Sequence, residues 1–188
     1  MMPDIDALFI RELLNYDQET GILWWRQRDL NWFSTEKRRT AEHECHLWNA
    51  RYAGKIAGTR MPAGYVSVSI LKKRYLAHRI AWAYATGRWP SFHIDHMNGD
   101  VFDNRLANLR EATRTENNKN RGIDSRNKSG FPGVTWFGQE GKWRARVIIC
   151  GVEKHLGLFG SPEEAHAAYK KVASENGFSE RHINGGIK

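Results

Sequence analysis

Residues 92–120, FHIDHMNGDVFDNRLANLREATRTENNKN, place an acidic side chain, imidazoles and several amides close together. Asp95 and His96 are adjacent, Asn108 follows twelve residues after His96, and Asn117 follows nine residues later. A hard divalent cation such as Mg²⁺ or Mn²⁺ prefers oxygen ligands, which a carboxylate and an amide carbonyl provide. A neutral imidazole takes a proton from water near neutral pH if a neighbouring group fixes its orientation. The set is typical of metal-assisted phosphodiester hydrolysis.

The segment reads as a strand, a loop, a second strand and a helix. SFHID predicts a short strand that ends at Asp95 and His96, and MNGDVFDN is rich in residues that tolerate tight turns. NLREA is extended in character, and it would bring the Asn108 amide beside the first strand. Thr113 followed by Glu116 is a capping box, so we expect a helix to begin there with Asn117 at the end of its first turn. The Glu116 carboxylate on the same helix is an alternative to the Asn117 amide as a site residue.

The segment before this unit predicts a strand and a helix. In GYVSVSIL, Val66, Val68 and Ile70 share one face of a strand, and KKR predicts a turn. YLAHRIAWAYATG then predicts a helix that ends at Gly87. His78 lies on that helix, where a structural role is favoured over a place near the active site.

At this point the sequence resembles the HNH nucleases, the ββα-metal fold of many phage-encoded homing endonucleases. The resemblance rests on HIDH, on Asn108 within NRLANLR and on Asn117 within TENN, and YLAHRIAWAYATGRWP is similar to the segment that leads into phage HNH cores. It implies that His96 is the general base, that Asp95 and Asn117 bind one divalent metal ion, and that Asn108 orients His96.

Two features of the HNH-like unit remain open. Asn117 stands where the family name has a second histidine, and an oxygen-rich site favours Mg²⁺ or Mn²⁺ over zinc. The roles of His93 and Asn104 are ambiguous. His93 precedes Asp95 by two residues, so on a regular strand it shares a side with Asp95. An auxiliary phosphate contact by His93 is one interpretation, and a structural role is the other.

Residues 1–60 carry little functional signal. An amphipathic helix is expected at the start, with Ile5, Leu8, Phe9 and Leu13 at near-helical spacing, and Gly21 predicts a turn into a short strand. HECH, at residues 43–46, invites a metal interpretation. A lone cysteine among crowded histidines more often belongs to a polar loop, and we interpret it as one.

We assign the HNH-like unit to residues 61–121, and a second module follows it. Residues 122–129 have the composition of a linker, and residues 130–182 predict three strands and a helix. GKWRARVIICG alternates apolar residues with Arg144 and Arg146, which gives the strand one core face and one cationic face. The helix SPEEAHAAYKKVASENG has Ser161 as N-cap, and Glu164 completes its capping box.

This module resembles an AP2 domain, the DNA-binding fold of plant transcription factors that also accompanies phage HNH nucleases. SGFPGVTW, GKWRARV, HLGLF and SPEEAHAAY carry the resemblance. It implies that the exposed face of the sheet lies in the major groove of DNA. The matching outward positions are Thr135, Phe137, Lys142, Arg144, Arg146 and Ile148. Plant proteins have arginines where this chain has Thr135 and Ile148, so a different sequence preference is expected.

Composition agrees with this interpretation. The net charge of +8 and pI near 9.7 indicate an anionic partner. Two distant cysteines exclude a disulfide framework and a four-cysteine zinc site, and no apolar run is long enough to span a bilayer. We therefore expect an α+β, intracellular, metal-dependent endonuclease acting on double-stranded DNA, encoded by a phage or mobile element. A non-catalytic DNA-binding regulator and an RNA-directed nuclease are the alternatives.

Overall fold

The computed structural model describes residues 5–34, 40–62, 64–124 and 126–185. The fold is α+β, with small sheets and short helices, as predicted. The chain divides into two compact units, Met1–Glu111 and Ala112–Lys188. No helix among the described residues has the length and apolar character that crossing a membrane requires.

Among its described residues, the first unit contains three α-helices and seven strands, and the last strand crosses into the second unit by one residue. In chain order they are α1 (Ala7–Leu13), β1 (Leu14–Tyr16), β2 (Leu23–Trp25), α2 (Ala41–Tyr52), β3 (Thr59–Arg60), β4 (Val66–Ile70), β5 (Lys73–Leu76), α3 (Ala77–Thr86), β6 (His93–His96) and β7 (Leu109–Ala112). Strands β1 and β2 pair, strands β3, β4 and β5 form a sheet in that order, and β6 pairs with β7.

Helix α1 packs on α3, and together with β4 they form the core of this unit. Ile10, Ile70 and Ile80 are completely buried. Asp6 caps α1 by accepting a hydrogen bond from the Phe9 N–H. The predicted apolar face of α1 was wrong at Leu8, which is 70% exposed, because the buried stripe runs through Ile10 instead.

The hairpin before α3 differs from the prediction. Leu71 and Lys72 adopt positive φ angles of 48° and 66°, which makes them the two central residues of a tight turn. Strand β5 therefore begins at Lys73, whereas KKR was predicted to be the turn and YL to be helical. Helix α3 begins at Ala77 and ends, as predicted, at Gly87 with φ 75°.

The HECH segment is helical, so the interpretation as a polar loop was wrong. It lies within α2, whose N-cap Thr40 accepts a hydrogen bond from the His43 N–H. Glu42 and Glu44 in the first turn favour this helix start because carboxylates interact well with the helix N-terminus. The helix has little amphipathic pattern, which is why periodicity did not indicate it.

The second unit contains α4 (Arg114–Asn120), β8 (Val134–Phe137), β9 (Lys142–Ile149), β10 (Val152–Phe159), α5 (Pro162–Glu175) and α6 (Glu180–Ile183). Its antiparallel sheet has the order β10-β9-β8. Helix α5 covers one face, where Val147 packs with Tyr169 and Ala173. Ser161 caps α5 as predicted, but the Glu164 carboxylate accepts from the Gly160 N–H, one residue before the predicted partner.

Helix α4 begins at the predicted capping box, with Thr113 and Glu116 bonded reciprocally. Its C-terminal end is held by α6 and the residues before it. Lys119 Nζ donates to the Asn176 carbonyl at 2.7 Å, and Arg181 Nη1 donates to the Asn120 carbonyl at 2.8 Å. These contacts join α4 to the C-terminal sheet unit, whereas we grouped it with the residues before it. The linker over 122–129 stays a prediction.

Candidate active site

Asp95 and His96 are the last two residues of β6, and both are buried. Strand β7 lies beside β6 and brings Arg110 to the acid. The Arg110 Nη2 and Nε atoms both donate to Asp95 Oδ2, at 2.9 and 3.1 Å. The pairing compensates the burial of the carboxylate, which would be costly without a cation nearby. Arg110 was not among the predicted site residues. The sequence feature that could have indicated it is its place on the strand that follows Asn108.

The His96 ring is held by Asn104. His96 Nε2 lies 3.0 Å from Asn104 Oδ1, and both side chains are buried. An amide oxygen only accepts, so in the neutral ring this contact puts the proton on Nε2 and the basic lone pair on Nδ1. The Asn104 backbone carbonyl separately accepts from the Tyr16 hydroxyl at 2.7 Å. Asn104 is therefore fixed on both its backbone and its side chain.

A second histidine packs on His96. The ring centroids of His78 and His96 are 5.0 Å apart in an edge-on arrangement, and the Tyr65 ring also lies 5.5 Å from the His78 ring. Burial lowers the pKa of His78 to about 3, and the neighbouring charges of His96 and Arg79 add to this shift. The structure thus places His78 next to the candidate base as a neutral packing group, which agrees with the structural role favoured from the sequence.

Asn108 braces the loop that follows β6. Its Oδ1 accepts from the Asn98 N–H at 2.9 Å, and its Nδ2 donates to the Asp103 carbonyl at 2.8 Å. Asn108 ends a short 3₁₀ turn before β7, one residue short of the strand on which it was predicted. The hydrogen bonds of the Asn108 side chain are thus to the loop, and the contact to His96 that was expected of Asn108 is made by Asn104.

The remaining predicted ligand, Asn117, lies at the end of the first turn of α4 in the second unit, as expected from the capping box. The structure describes that unit separately from Asp95, so a shared metal site stays a prediction. His93 is exposed at the start of β6. Among the described residues, no group of three or more His, Cys, Asp or Glu side chains could hold a metal ion. The predicted ligand pair, Asp95 and Asn117, is not a group of this kind, because asparagine is not among those residue types.

The sequence of this site matches a known family. Residues 75–119 fit the family model of the HNH endonucleases. This segment is therefore similar to the HNH endonucleases. A region of 80 residues of the chain is also 35% identical to Protein 3.8 of Escherichia phage T7, which corresponds to 42% of this chain and 66% of the phage protein. No solved structure matches the chain at a significant level.

The chain is also similar to plant proteins. It is 29% identical over 147 residues to the AP2-like ethylene-responsive transcription factor ANT of Arabidopsis thaliana. It is 32% identical over 149 residues to the AP2-like ethylene-responsive transcription factor CRL5 of Oryza sativa subsp. japonica. Each match covers 74% of this chain but only 26% and 22% of the plant proteins, so the chain spans about a quarter of their length.

The second unit presents the outward sheet face that the AP2 resemblance implied. Thr135 is opposite Arg144 and Phe137 is opposite Lys142 in the β8–β9 register, so these four side chains share the face away from α5. The Arg144 guanidinium lies 5.5 Å from the centre of the Phe137 ring. Arg146 pairs with Glu153 at 2.9 Å. Ile148 is 60% exposed on this face, which leaves an apolar position among the cations.

Proposed function

We propose that this protein is a metal-dependent endonuclease that hydrolyses phosphodiester bonds of double-stranded DNA. The observation that carries the proposal is the buried Asp95–His96 pair at the end of β6, inside the segment that matches the HNH endonuclease family. A carboxylate next to an imidazole whose tautomer is fixed is the arrangement that general-base activation of water requires.

In this proposal His96 accepts a proton from the attacking water at Nδ1. Asn104 keeps the opposite ring nitrogen protonated, and the His78 ring limits rotation of the imidazole. The reaction then needs no rearrangement of the base at the moment of proton transfer.

The donor set fits a hard cation, because a carboxylate and an amide oxygen are available without any thiolate. Asp95 and Asn117 would hold one Mg²⁺ or Mn²⁺ ion, which supplies Lewis-acid stabilisation of the negative charge that develops on the phosphate. Before a metal ion binds, Arg110 balances the negative charge of Asp95 with its own positive charge. Its side chain is 43% exposed, so it is also able to reach a phosphate oxygen of bound DNA.

The second unit would hold the duplex. Its outward sheet face carries Lys142, Arg144 and Arg146. A cavity of about 550 Å³ within this unit is lined by Arg114 and Arg121 on the α4 side and by Arg146 on the sheet. A basic surface that continues from the sheet to α4 would direct the DNA backbone towards the helix that carries Asn117. Tethering DNA in this way raises the local concentration of phosphodiester at a small active site.

The test is cleavage of supercoiled plasmid by the full chain with Mg²⁺, with Mn²⁺ or with EDTA. We expect nicked product with either metal and none with EDTA, because one active site per chain cuts one strand per event. His96→Ala should abolish nicking, while His46→Ala, an exposed histidine on α2, serves as the matched control and should cut normally.

The AP2-like resemblance and the plant transcription factor matches favour a second candidate, a DNA-binding regulator without catalysis. The same plasmid experiment separates the two. Plasmid that stays supercoiled with both metals but is retarded on a gel would favour the regulator, and metal-dependent nicking that is lost in His96→Ala would exclude it.

A further inference from the structure

A cavity of about 710 Å³ opens in the first unit, apart from Asp95 and His96. It lies between the β2–α2 region and the β3–β4–β5 sheet. We call it the tryptophan pocket, and its principal lining residues are Trp25, Arg28, Trp48, Tyr52, Arg60 and Arg74. Its volume is in the range that binding sites for small ligands and nucleotides occupy. Nothing in the proposed reaction uses it.

The walls of the pocket are aromatic. Trp25 and Trp48 meet edge to face with ring centroids 5.8 Å apart, and Trp48 and Tyr52 lie 5.2 Å apart. All three side chains are only partly buried, although large aromatic residues usually contribute to a core. Ile56 lies at the rim and is 65% exposed. The pocket therefore offers planar apolar surfaces to a ligand.

The pocket is also cationic. The Arg28 guanidinium lies 3.9 Å from the centre of the Trp48 ring, and its Nε atom is buried with no hydrogen-bond partner within the described part of the chain. Asn49 fixes the Arg28 backbone by accepting from its N–H and donating to its carbonyl, each at 2.9 Å. Burial lowers the pKa of Arg28, which means that its charge is held without full solvation.

No acidic residue in the described part of the chain lines the pocket to balance these charges. The lining contains three arginines and neither Asp nor Glu among the described residues. In the same described ranges, Arg28, Arg60 and Arg74 take part in no salt bridge, whereas Arg88 and Arg105 elsewhere in this unit each pair with a carboxylate. Within the described residues, three arginines without a salt bridge lie beside three aromatic rings. This combination is complementary to a ligand that has both a planar ring and a negative charge.

We infer that the tryptophan pocket binds an unpaired nucleotide of DNA, with its base against Trp25, Trp48 and Tyr52 and its phosphate at the arginines. Base stacking on aromatic side chains together with a basic groove is how proteins hold single strands. A base inside a duplex is stacked on its neighbours, so only a single-stranded or extruded base reaches such a pocket. The inference rests on the proposed function, because DNA as the ligand is taken from it.

The experiment measures binding of a fluorescently labelled single-stranded 12-mer to the full chain in EDTA, so that no cleavage occurs. A 12-mer of the same length with abasic sites provides the backbone charge without the bases. We expect the normal strand to bind about tenfold tighter than the abasic strand, since stacking on an aromatic ring contributes about 5- to 150-fold for each base.

The variants assign this difference to the pocket. Trp48→Ala should remove the preference for the normal strand over the abasic strand. Arg60→Gln changes an exposed residue at the rim of the pocket and leaves the packing of Trp48 intact. It should weaken the binding of both strands by about threefold or more. Lys73→Gln is the matched control, because Lys73 lies exposed on β5 beside Arg74 but does not line the pocket. It should bind both strands nearly as the native chain does.

Three results would overturn the inference. Equal binding of the normal and abasic strands would mean that only charge is recognised. A preference that survives Trp48→Ala in a protein that still melts cooperatively would place the stacking elsewhere. Binding of a ribonucleotide 12-mer tenfold more tightly than the DNA strand would make the site one for RNA. Plasmid nicking is measured in a separate experiment. If the native chain nicks plasmid in a metal-dependent way, the proposed function stands even when one of these three results is obtained.

Discussion

Asn104→Ala should impair catalysis by releasing the His96 ring. The substitution removes the Oδ1 acceptor that lies 3.0 Å from His96 Nε2, and it leaves the Asn104 backbone carbonyl that Tyr16 uses. A buried donor left without its partner costs about 1–3 kcal/mol. If that amount is lost from the transition state, kcat falls about 5- to 150-fold, because each 1.36 kcal/mol is about a factor of ten in rate. KM for the plasmid should change little, since neither side chain needs to contact DNA.

The assay is single-turnover nicking of supercoiled plasmid at saturating Mg²⁺, with thermal melting to confirm that each variant is folded. Asn104→Asp keeps an oxygen acceptor and should recover much of the lost rate. Asn108→Ala is the informative comparison, because its side chain braces the loop at Asn98 and Asp103. The reasoning is refuted if Asn104→Ala cuts within twofold of the native rate, or if Asn104→Asp is as slow as Asn104→Ala.

Three further predictions concern the metal, the pH and DNA. Arg110→Gln should lower the concentration of Mn²⁺ that half-saturates the protein in calorimetric titration, because Arg110 competes with a cation for Asp95; unchanged or weaker Mn²⁺ binding would contradict this. The folded-state pKa of His78 is lowered from 6.5 to about 3, so its stabilising effect is complete above pH 6.5 and is lost as the pH falls towards 3, at up to about 1.4 kcal/mol per pH unit. Urea unfolding at pH 7 and pH 4.5 should show a smaller loss of stability in His78→Gln than in the native chain, and equal losses would refute the assignment. Arg144→Gln should weaken duplex binding and reduce the slope of log K against log salt by about one, as measured by anisotropy, if Arg144 contacts a phosphate; a slope that does not change would argue against that contact.

The elements that carry the candidate site could be predicted because their signals are local. The strand ending at His96 and the capping box at Thr113 each depend on residues within a few positions of one another. Weak or misleading local signals explain the errors. Helix α2 lacks an apolar stripe, and the turn at Leu71 uses two residues that rarely adopt positive φ.

The hydrogen-bond partners of Asp95 and His96 could not be predicted from such local signals. Asn104 and Asn108 are both buried asparagines near His96 in the sequence, and spacing alone does not show which amide faces the ring. The loop path from Met97 to Arg105 decides it, since Asn108 is used to hold that loop.

By itself, the sequence determined the α+β class, the Asp95–His96 pair and the helix start that precedes Asn117, because composition, alternation and capping are properties of neighbouring residues. Only the tertiary structure decided that Arg110 pairs with Asp95, that Asn104 holds His96 and that His78 packs on its ring. It also gathered three arginines and three aromatic residues from four separate segments into the tryptophan pocket. The physical reason is that such contacts join residues far apart in the chain, and their geometry is fixed by packing and by pairing of buried charges.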